Sequence, residues 1–210
     1  NSAGILRKPY IIELHGMPTG KVGPKMYKKL IFSEHKKRFL CITNALKLMY
    51  ENEYNFKFKE SEIQIAPNGV VLDPYLNSPE TSEIRNHLGI NNQFTVVYTG
   101  HLYQGRGMDL LVNLAKALPE IQFLWVGGKD EDVDRWKTFI TEKGINNILL
   151  TGFVGNDKIP AYQLLGDILV MPYETSIAGS SGGNSVEFCS PMKMFEYMAA
   201  GKTIISSNFP

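Results

Sequence analysis

The stretch FTVVYTGHLYQGRGMDLLVNLAKALPEIQFLWVGG, Phe94 to Gly128, decides the fold. "FTVVYTG" (94–100) is a short run of β-branched and aromatic residues, the composition of a buried strand. "MDLLVNLAKALP" (108–119) repeats its apolar residues at helical spacing and is stopped by Pro119. "IQFLWVGG" (121–128) reads as a second buried strand. Strand, amphipathic helix, strand is a crossover unit. Strands that are apolar throughout, rather than alternating, belong to a parallel sheet covered on both faces.

The rhythm continues downstream. "DEDVDRWKTFITEKG" (130–144) is a helix with acids in its first turn and glycine at its end. "NILLTGF" (147–153), "IPAYQLLGD" (159–167), "ILVMPY" (168–173), "SPMKMFEYMAAGK" (190–202) and "TIISSN" (203–208) keep the alternation. The expected fold is α/β: a Rossmann-like parallel sheet of about five strands with helices on both faces. A shorter version of the same rhythm precedes it: "PYIIELHG", a helical "GPKMYKKLIFSEHKKR", "FLCITN", a helical "ALKLMYENEY" and "IQIAPNG". Three strands and two helices make only a partial second α/β unit. "PNGVVLDPYLNSPE" (67–80), rich in Pro, Asn and Asp, marks the junction. The expected division is a first unit over 1–75, a linker over 76–90 and the larger Rossmann-like unit over 91–210.

Composition is consistent with this and excludes other classes. With 210 residues, 43% hydrophobic and 20% charged, the chain can bury one good-sized core or two modest ones. No apolar run approaches the ~20 residues of a membrane span, and no secretory leader is evident. Cys41 and Cys189 form neither a metal-spaced nor a redox pair, so a reducing, cytoplasmic setting is expected. Net charge is +1, which calls for no nucleic-acid partner, yet it is unevenly spread. Residues 1–75 hold 12 Lys/Arg against 7 Asp/Glu, and residues 76–210 hold 10 against 14.

Ligands of parallel sheets gather at the C-terminal ends of the strands. Four segments converge there: 100–107, 127–134, 152–156 and 174–193. "GHLYQGRG" nearly matches the phosphate loop G-x-x-x-x-G-K-[ST], with Gly100, Gly105 and Arg106 in register. Gly107 stands where Ser or Thr would hold Mg²⁺, so binding of a phosphate is indicated and metal-assisted hydrolysis is not. A tight turn with a solvated arginine is the alternative. "SPMKMFEYMAAGK" places Ser190 as N-cap, proline at the first helical position and Lys193 in the first turn, where the dipole disfavours a cation. A bound anion would explain that lysine. Two anion-friendly segments on one sheet edge fit a nucleotide diphosphate. Glu196 is placed to accept hydrogen bonds from vicinal hydroxyls, as acids do with ribose; a surface glutamate is the alternative. Gly127, Phe153, Val154 and Met192 belong to the converging segments and complete the expected nucleotide-binding set. "DEDVD" (130–134) is read as helix capping rather than a metal site, and no metal is expected. "IAGSSGGNS" (177–185), too small and polar to pack, is a candidate lid or a plain surface loop.

In this order, "GHLYQGRGMDLL", "LWVGG", "TGFV…IPAYQLLGDILVMPY" and "SPMKMFEYMAAGK" resemble the C-terminal half of the group 1 retaining glycosyltransferases, which have the two-domain GT-B architecture. "ELHGMP", "ITNALK" and "APNGV" resemble the end of that family's N-terminal domain. The resemblance implies transfer of a sugar from a nucleotide diphosphate sugar to a glycan or glycolipid acceptor, with retention, in cell-envelope polysaccharide or lipopolysaccharide synthesis. The nucleotide sugar is a substrate, and no cofactor is implied. Arg106 matches the family's diphosphate-binding basic residue, and Glu196 the ribose-binding glutamate. His101 stands where the family often has arginine. Phe188 stands where the family has a first glutamate, with Glu187 one residue away. His15 in "ELHG" matches a histidine that faces the donor sugar, so His15, Arg106 and Lys193 form the implied catalytic set. The chain is expected to be a fragment, inactive alone, because the family continues at both ends.

The resemblance further implies same-face attack, with the leaving diphosphate helping to take the acceptor proton. A nucleotide-binding module without transferase activity and a UDP-sugar epimerase are the alternatives. A dinucleotide oxidoreductase is disfavoured, since no G-x-G-x-x-G opens a crossover unit. Finally, "KVGPKMYKKLIFSEHKKR" (21–38) holds seven Lys/Arg against Glu34 at a loose helical period. It is either a solvated helix face or a peripheral contact with the inner face of an anionic membrane.

Overall fold

A computed structural model describes residues 8–77, 81–176 and 185–208. It divides into two compact units, one of residues 8–68 and 185–191 and one of 69–176 and 192–208.

In the first unit, β1 (Tyr10–Leu14), β2 (Lys37–Cys41) and β3 (Ile63–Ile65) form a parallel sheet in the order β1-β2-β3. Helices α1 (Gly23–Ile31) and α2 (Asn44–Tyr54) make the crossovers. Thr43 caps α2 by accepting from the Leu46 N–H at 3.1 Å. Leu14, Ile31, Phe39, Cys41, Leu46, Tyr50 and Phe58 form the core, and Phe188 packs against it from the returning segment. The helix expected over 23–38 ends at Ile31, and Lys37 and Arg38 pair instead with Tyr10 and Ile11 of β1. Ladder pairing that buries Phe39 and Cys41 outweighs the helical tendency of the lysine-rich run. The seven cations therefore do not share one helical face.

The second unit begins with a short helix, α3 (Asp73–Leu76), and α4 (Thr81–Leu88), which occupies the stretch expected to be linker. Its five strands are β4 (Thr95–Thr99), β5 (Gln122–Val126), β6 (Ile148–Gly152), β7 (Ile168–Met171) and β8 (Thr203–Ser206). All pair in parallel, in the order β6-β5-β4-β7-β8. The helices between them are α5 (Met108–Ala117), α6 (Asp130–Glu142), α7 (Ile159–Leu165) and α8 (Met192–Ala199). One face is sealed by Leu111, Val112 and Ala115 of α5 and Val133, Trp136 and Ile140 of α6 against Val96, Tyr98, Phe123 and Trp125. The Trp136 indole donates to the Leu102 carbonyl at 2.9 Å, tying α6 to the loop after β4. Buried residues of α7 and α8, including Leu165 and Tyr197, cover the other face. The expected parallel α/β architecture is what the chain adopts.

Strand order puts the first strand, β4, in the centre, with later strands added outward on each side. Between β4 and β7 the winding reverses, the position at whose C-terminal edge parallel sheets bind their ligands. Among the described residues no helix is long and apolar enough to cross a membrane.

Candidate functional site

The loops after β4 and β7 meet at that reversal point. Gly107 adopts a left-handed φ of 76° and serves as N-cap of α5. A Cβ there would lie 1.8 Å from the Pro172 carbonyl oxygen, so the position can hold only glycine. The hydroxyl of a magnesium-binding phosphate loop has no room in this turn. The Glu174 N–H donates to the Gly105 carbonyl at 3.1 Å and closes the two loops together. Gly100 plays the same role toward α8: a Cβ would sit 2.7 Å from the Lys193 Nζ. Without side chains at these two glycines, two cations can reach the same point.

Arg106 is sandwiched between two aromatic rings, its guanidinium carbon 4.8 Å from the Tyr103 centroid and 4.7 Å from that of Tyr173. One terminal nitrogen donates to the Tyr103 hydroxyl. Lys193, in the first turn of α8, holds its Nζ 3.8 Å above the Tyr98 ring and 5.3 Å from Tyr173. Cation–π contacts orient both groups but consume none of their N–H donors. The Arg106 Nε and the Lys193 Nζ are buried and have no hydrogen-bond partner among the described residues. Burial, and then the nearby Arg106 charge, push the Lys193 ammonium well below the usual lysine range; Glu196 opposes this more weakly. Two like charges, desolvated around one tyrosine with donors unused, are a poor arrangement for an empty fold and a good one for a doubly charged anion.

His101 follows Gly100, is exposed, and stacks on Tyr103 at 5.3 Å. Burial and the Arg106 and Lys193 charges lower its pKa, so the neutral ring is favoured beside the cations.

Glu196, one turn beyond Lys193, is held from below. Fully buried Gln163 of α7 donates from Nε2 to a Glu196 carboxylate oxygen and to the Thr99 hydroxyl, each at 3.1 Å. Its Oε1 accepts from the Tyr75 hydroxyl at 2.7 Å. The Tyr197 hydroxyl accepts from the Thr99 N–H at 3.0 Å, which pins α8 to the end of β4. Burial and the Glu196 charge push the Tyr75 phenol up to about 12.

Gly127 lies just past β5, where its N–H donates to the Gly152 carbonyl at 2.9 Å. Phe153 and Val154 follow β6 at the same edge, and Phe153 is 79% exposed, unusual for a phenylalanine. Met192 opens α8 and is also exposed. These residues share one sheet edge with Gly100, Arg106, Lys193 and Glu196, as expected.

His15 lies in the first unit, as its segment implies, and Ser190 lies there too instead of in the second unit. His15 follows β1 and pairs with Glu13 at 3.0 Å. Ser190 is buried; its hydroxyl oxygen accepts from the Asn68 N–H at 3.0 Å and its carbonyl from the Asn68 amide at 2.5 Å. The following helix starts at Met192, so Ser190 acts as a brace for Asn68 rather than as the helix cap. Phe188 is a half-buried residue packed against the core of that unit, and its carbonyl accepts from the Thr43 hydroxyl at 2.9 Å, while Glu187 is exposed. The candidate lid over 177–185 lies outside the described residues except for Ser185. Among the described residues no group of three or more His, Cys, Asp or Glu is placed to hold a metal ion. Sequence reasoning missed Tyr98, Tyr103 and Tyr173, which wall the cations, and Gln163, Tyr75 and Thr99, which surround Glu196. The one available signal was Gln163, a polar residue on the apolar stripe of "IPAYQLLG".

Comparison with known proteins points the same way. A family model described as "Glycosyl transferases group 1" matches residues 93–210. The alpha-galactosylglucosyldiacylglycerol synthase of Streptococcus pneumoniae is 27% identical over 154 residues, covering 69% of this chain and 40% of that protein. A GDP-mannose-dependent alpha-(1-6)-phosphatidylinositol monomannoside mannosyltransferase of Mycobacterium tuberculosis is 27% identical over 157 residues, covering 70% and 38%. The crystal structure of Anabaena HepE in complex with UDP superposes with a TM-score of 0.73 at 19% identity, covering 98% of this chain and 55% of that one. The chain thus matches less than half the length of these curated relatives.

Proposed function

The chain belongs to the group 1 glycosyl transferases, and on that premise we propose that it carries the donor half of an enzyme moving a sugar from a nucleotide diphosphate to a glycolipid or polysaccharide acceptor with retention. The observation that carries the reading is the pair of cations around Tyr173, Arg106 and Lys193, each with a buried nitrogen that has no partner among the described residues. A diphosphate placed between them fills both empty donors and offsets both charges. Glu196 then faces the ribose, and the exposed Phe153 ring offers a surface to the base. As the glycosidic bond breaks, charge builds on the leaving diphosphate, and donors already held in place stabilise it without reorganising. The two cations supply the charge compensation that a metal gives other transferases, so the reading uses no cofactor. Acceptor attack on the same face, with the departing phosphate taking the acceptor proton, follows from the family premise.

A glycolipid acceptor is supported by the relatives' names, one a synthase of a glycosylated diacylglycerol and one a phosphatidylinositol monomannoside mannosyltransferase. It agrees with a peripheral role at the inner face of the membrane. Lys25, Lys28 and Lys29 are exposed on α1 beside exposed Val22, Met26 and Phe32, a mixture suited to an anionic interface. One observation favours a second reading, a nucleotide-binding module without transfer: Phe188 stands where the family's first glutamate would be, and its ring packs against the first unit's core.

Screening the full-length enzyme against UDP-, GDP- and ADP-sugars, with thermal shift as readout and glycolipid acceptors added to the hits, separates the readings. Acceptor-dependent release of nucleoside diphosphate is expected. Binding with no release under any acceptor favours the module, and no stabilisation by any nucleotide sugar overturns both.

A further inference from the structure

We propose that Gln163 and Tyr75 are positioning residues that set the ribose selectivity of the site by fixing the carboxylate of Glu196. The inference rests on the reading of Glu196 as the ribose-binding residue. Gln163 is completely buried, and both ends of its amide are engaged: Nε2 donates to Glu196 and Thr99, and Oε1 accepts from Tyr75. The amide cannot be reversed. Turned over, its oxygen would face the Glu196 carboxylate, and acceptor would meet acceptor. The Tyr75 hydroxyl thus selects the orientation of Gln163, and Gln163 anchors one oxygen of Glu196. With that oxygen held by the Gln163 amide, Glu196 presents its other oxygen in one direction. Paired hydroxyls at ribose spacing require such a fixed acceptor, whereas a swinging carboxylate accepts from water equally well. Tyr75 belongs to α3, which opens the second unit, so a residue far from the nucleotide in sequence shares in its recognition.

The test measures affinities of the full chain for UDP and 2′,3′-dideoxy-UDP, and for the matching GDP pair, by calorimetry. The unaltered protein is expected to prefer the ribose form by about tenfold with the base it accepts. Gln163→Met, which keeps the volume, and Tyr75→Phe, which removes one oxygen, are expected to lose that preference while affinity for the dideoxy form stays the same. A merely structural role would weaken both forms alike. Glu196→Gln is expected to remove the preference, and Gln163→Met added to it should change nothing more. If Glu196→Gln removes the preference but Gln163→Met or Tyr75→Phe keeps it, the proposal fails and the ribose reading stands. If Glu196→Gln itself keeps the preference, or neither diphosphate binds, the ribose reading fails and takes the proposal with it. Should Gln163→Met not fold, Tyr75→Phe decides alone.

Discussion

Each unit buries a charge, and the two are treated in opposite ways. In the first unit, the Glu51 carboxylate is 4% exposed and fully engaged by its own fold. It accepts from the Lys57 ammonium at 2.8 Å and the Phe58 N–H at 3.1 Å, with Lys47 at 3.9 Å. Burial alone would raise its pKa, but those two hydrogen bonds and both lysine charges together hold it below the usual carboxylate range. In the second unit, the Arg106 Nε and the Lys193 Nζ are buried with no hydrogen-bond partner among the described residues, and the Arg106 charge makes that of Lys193 more costly. A buried charge satisfied locally holds a loop in place. One left unsatisfied beside a like charge marks where a ligand's charge belongs.

The sharpest way to break this contrast is to remove the second-unit charges. Arg106→Ala combined with Lys193→Met is expected to weaken nucleoside diphosphate binding on the order of a hundredfold, the loss of two charge-assisted bonds. The unliganded variant should unfold at a temperature no lower than the parent, because an unpaired buried ammonium opposes folding. The sign also sets a pH dependence. The folded pKa of Lys193 lies below its unfolded value, so the folded state binds the proton less readily, and its burden on stability eases as pH rises through the depressed pKa. Binding of the anion needs the ammonium, so affinity should fall over that same window. Calorimetry and thermal unfolding across pH check both, and a less stable unliganded variant would contradict the contrast.

The first-unit charge should behave in reverse. Glu51→Ala leaves the Phe58 N–H without its acceptor and is expected to cost about 1–3 kcal/mol of stability while diphosphate affinity is unchanged. Its folded pKa is depressed, so its contribution is present above the unfolded carboxylate value and disappears as pH falls through the folded one. Denaturant unfolding at neutral and acid pH measures this; the variant's deficit should shrink in acid.

The smallest effect concerns exposed charges, which no burial amplifies. Changing Lys25, Lys28 and Lys29 of α1 to Gln is expected to reduce partitioning onto anionic vesicles, with each lysine worth at most about 1 kcal/mol. The binding should vanish with added salt and be absent on neutral vesicles, and co-sedimentation reads it directly. Partitioning indifferent to the substitutions would remove α1 from the membrane reading.

Legibility differed with the range of the interactions involved. The β4-α5-β5 run was readable because strand and helix periods are written in consecutive residues. Arg106 and Lys193 stand out in the sequence because each breaks a local expectation, a phosphate-type loop with an arginine and a cation at a helix's positive end. The end of α1 was misread, since Lys37 and Arg38 look helical locally and are claimed by a ladder to β1. Ser190 was misplaced for the same reason: its acceptor role is spent on Asn68, 122 residues away in sequence.

By itself the sequence determined the parallel α/β class, the strand and helix alternation, and which loops carry charge at the sheet's C-terminal edge. Periodicity and turn chemistry act between near neighbours, and those survive in a linear reading. Only the tertiary structure decided that Tyr173 joins Arg106 to Lys193, that Gly107 must remain glycine beneath the Pro172 carbonyl, and that Glu196 is held through Gln163 by Tyr75. Those contacts span sequence separations as large as 88 residues. Nothing in the local pattern ranks one distant polar residue above another; burial does, because a buried donor or acceptor must find its partner in space.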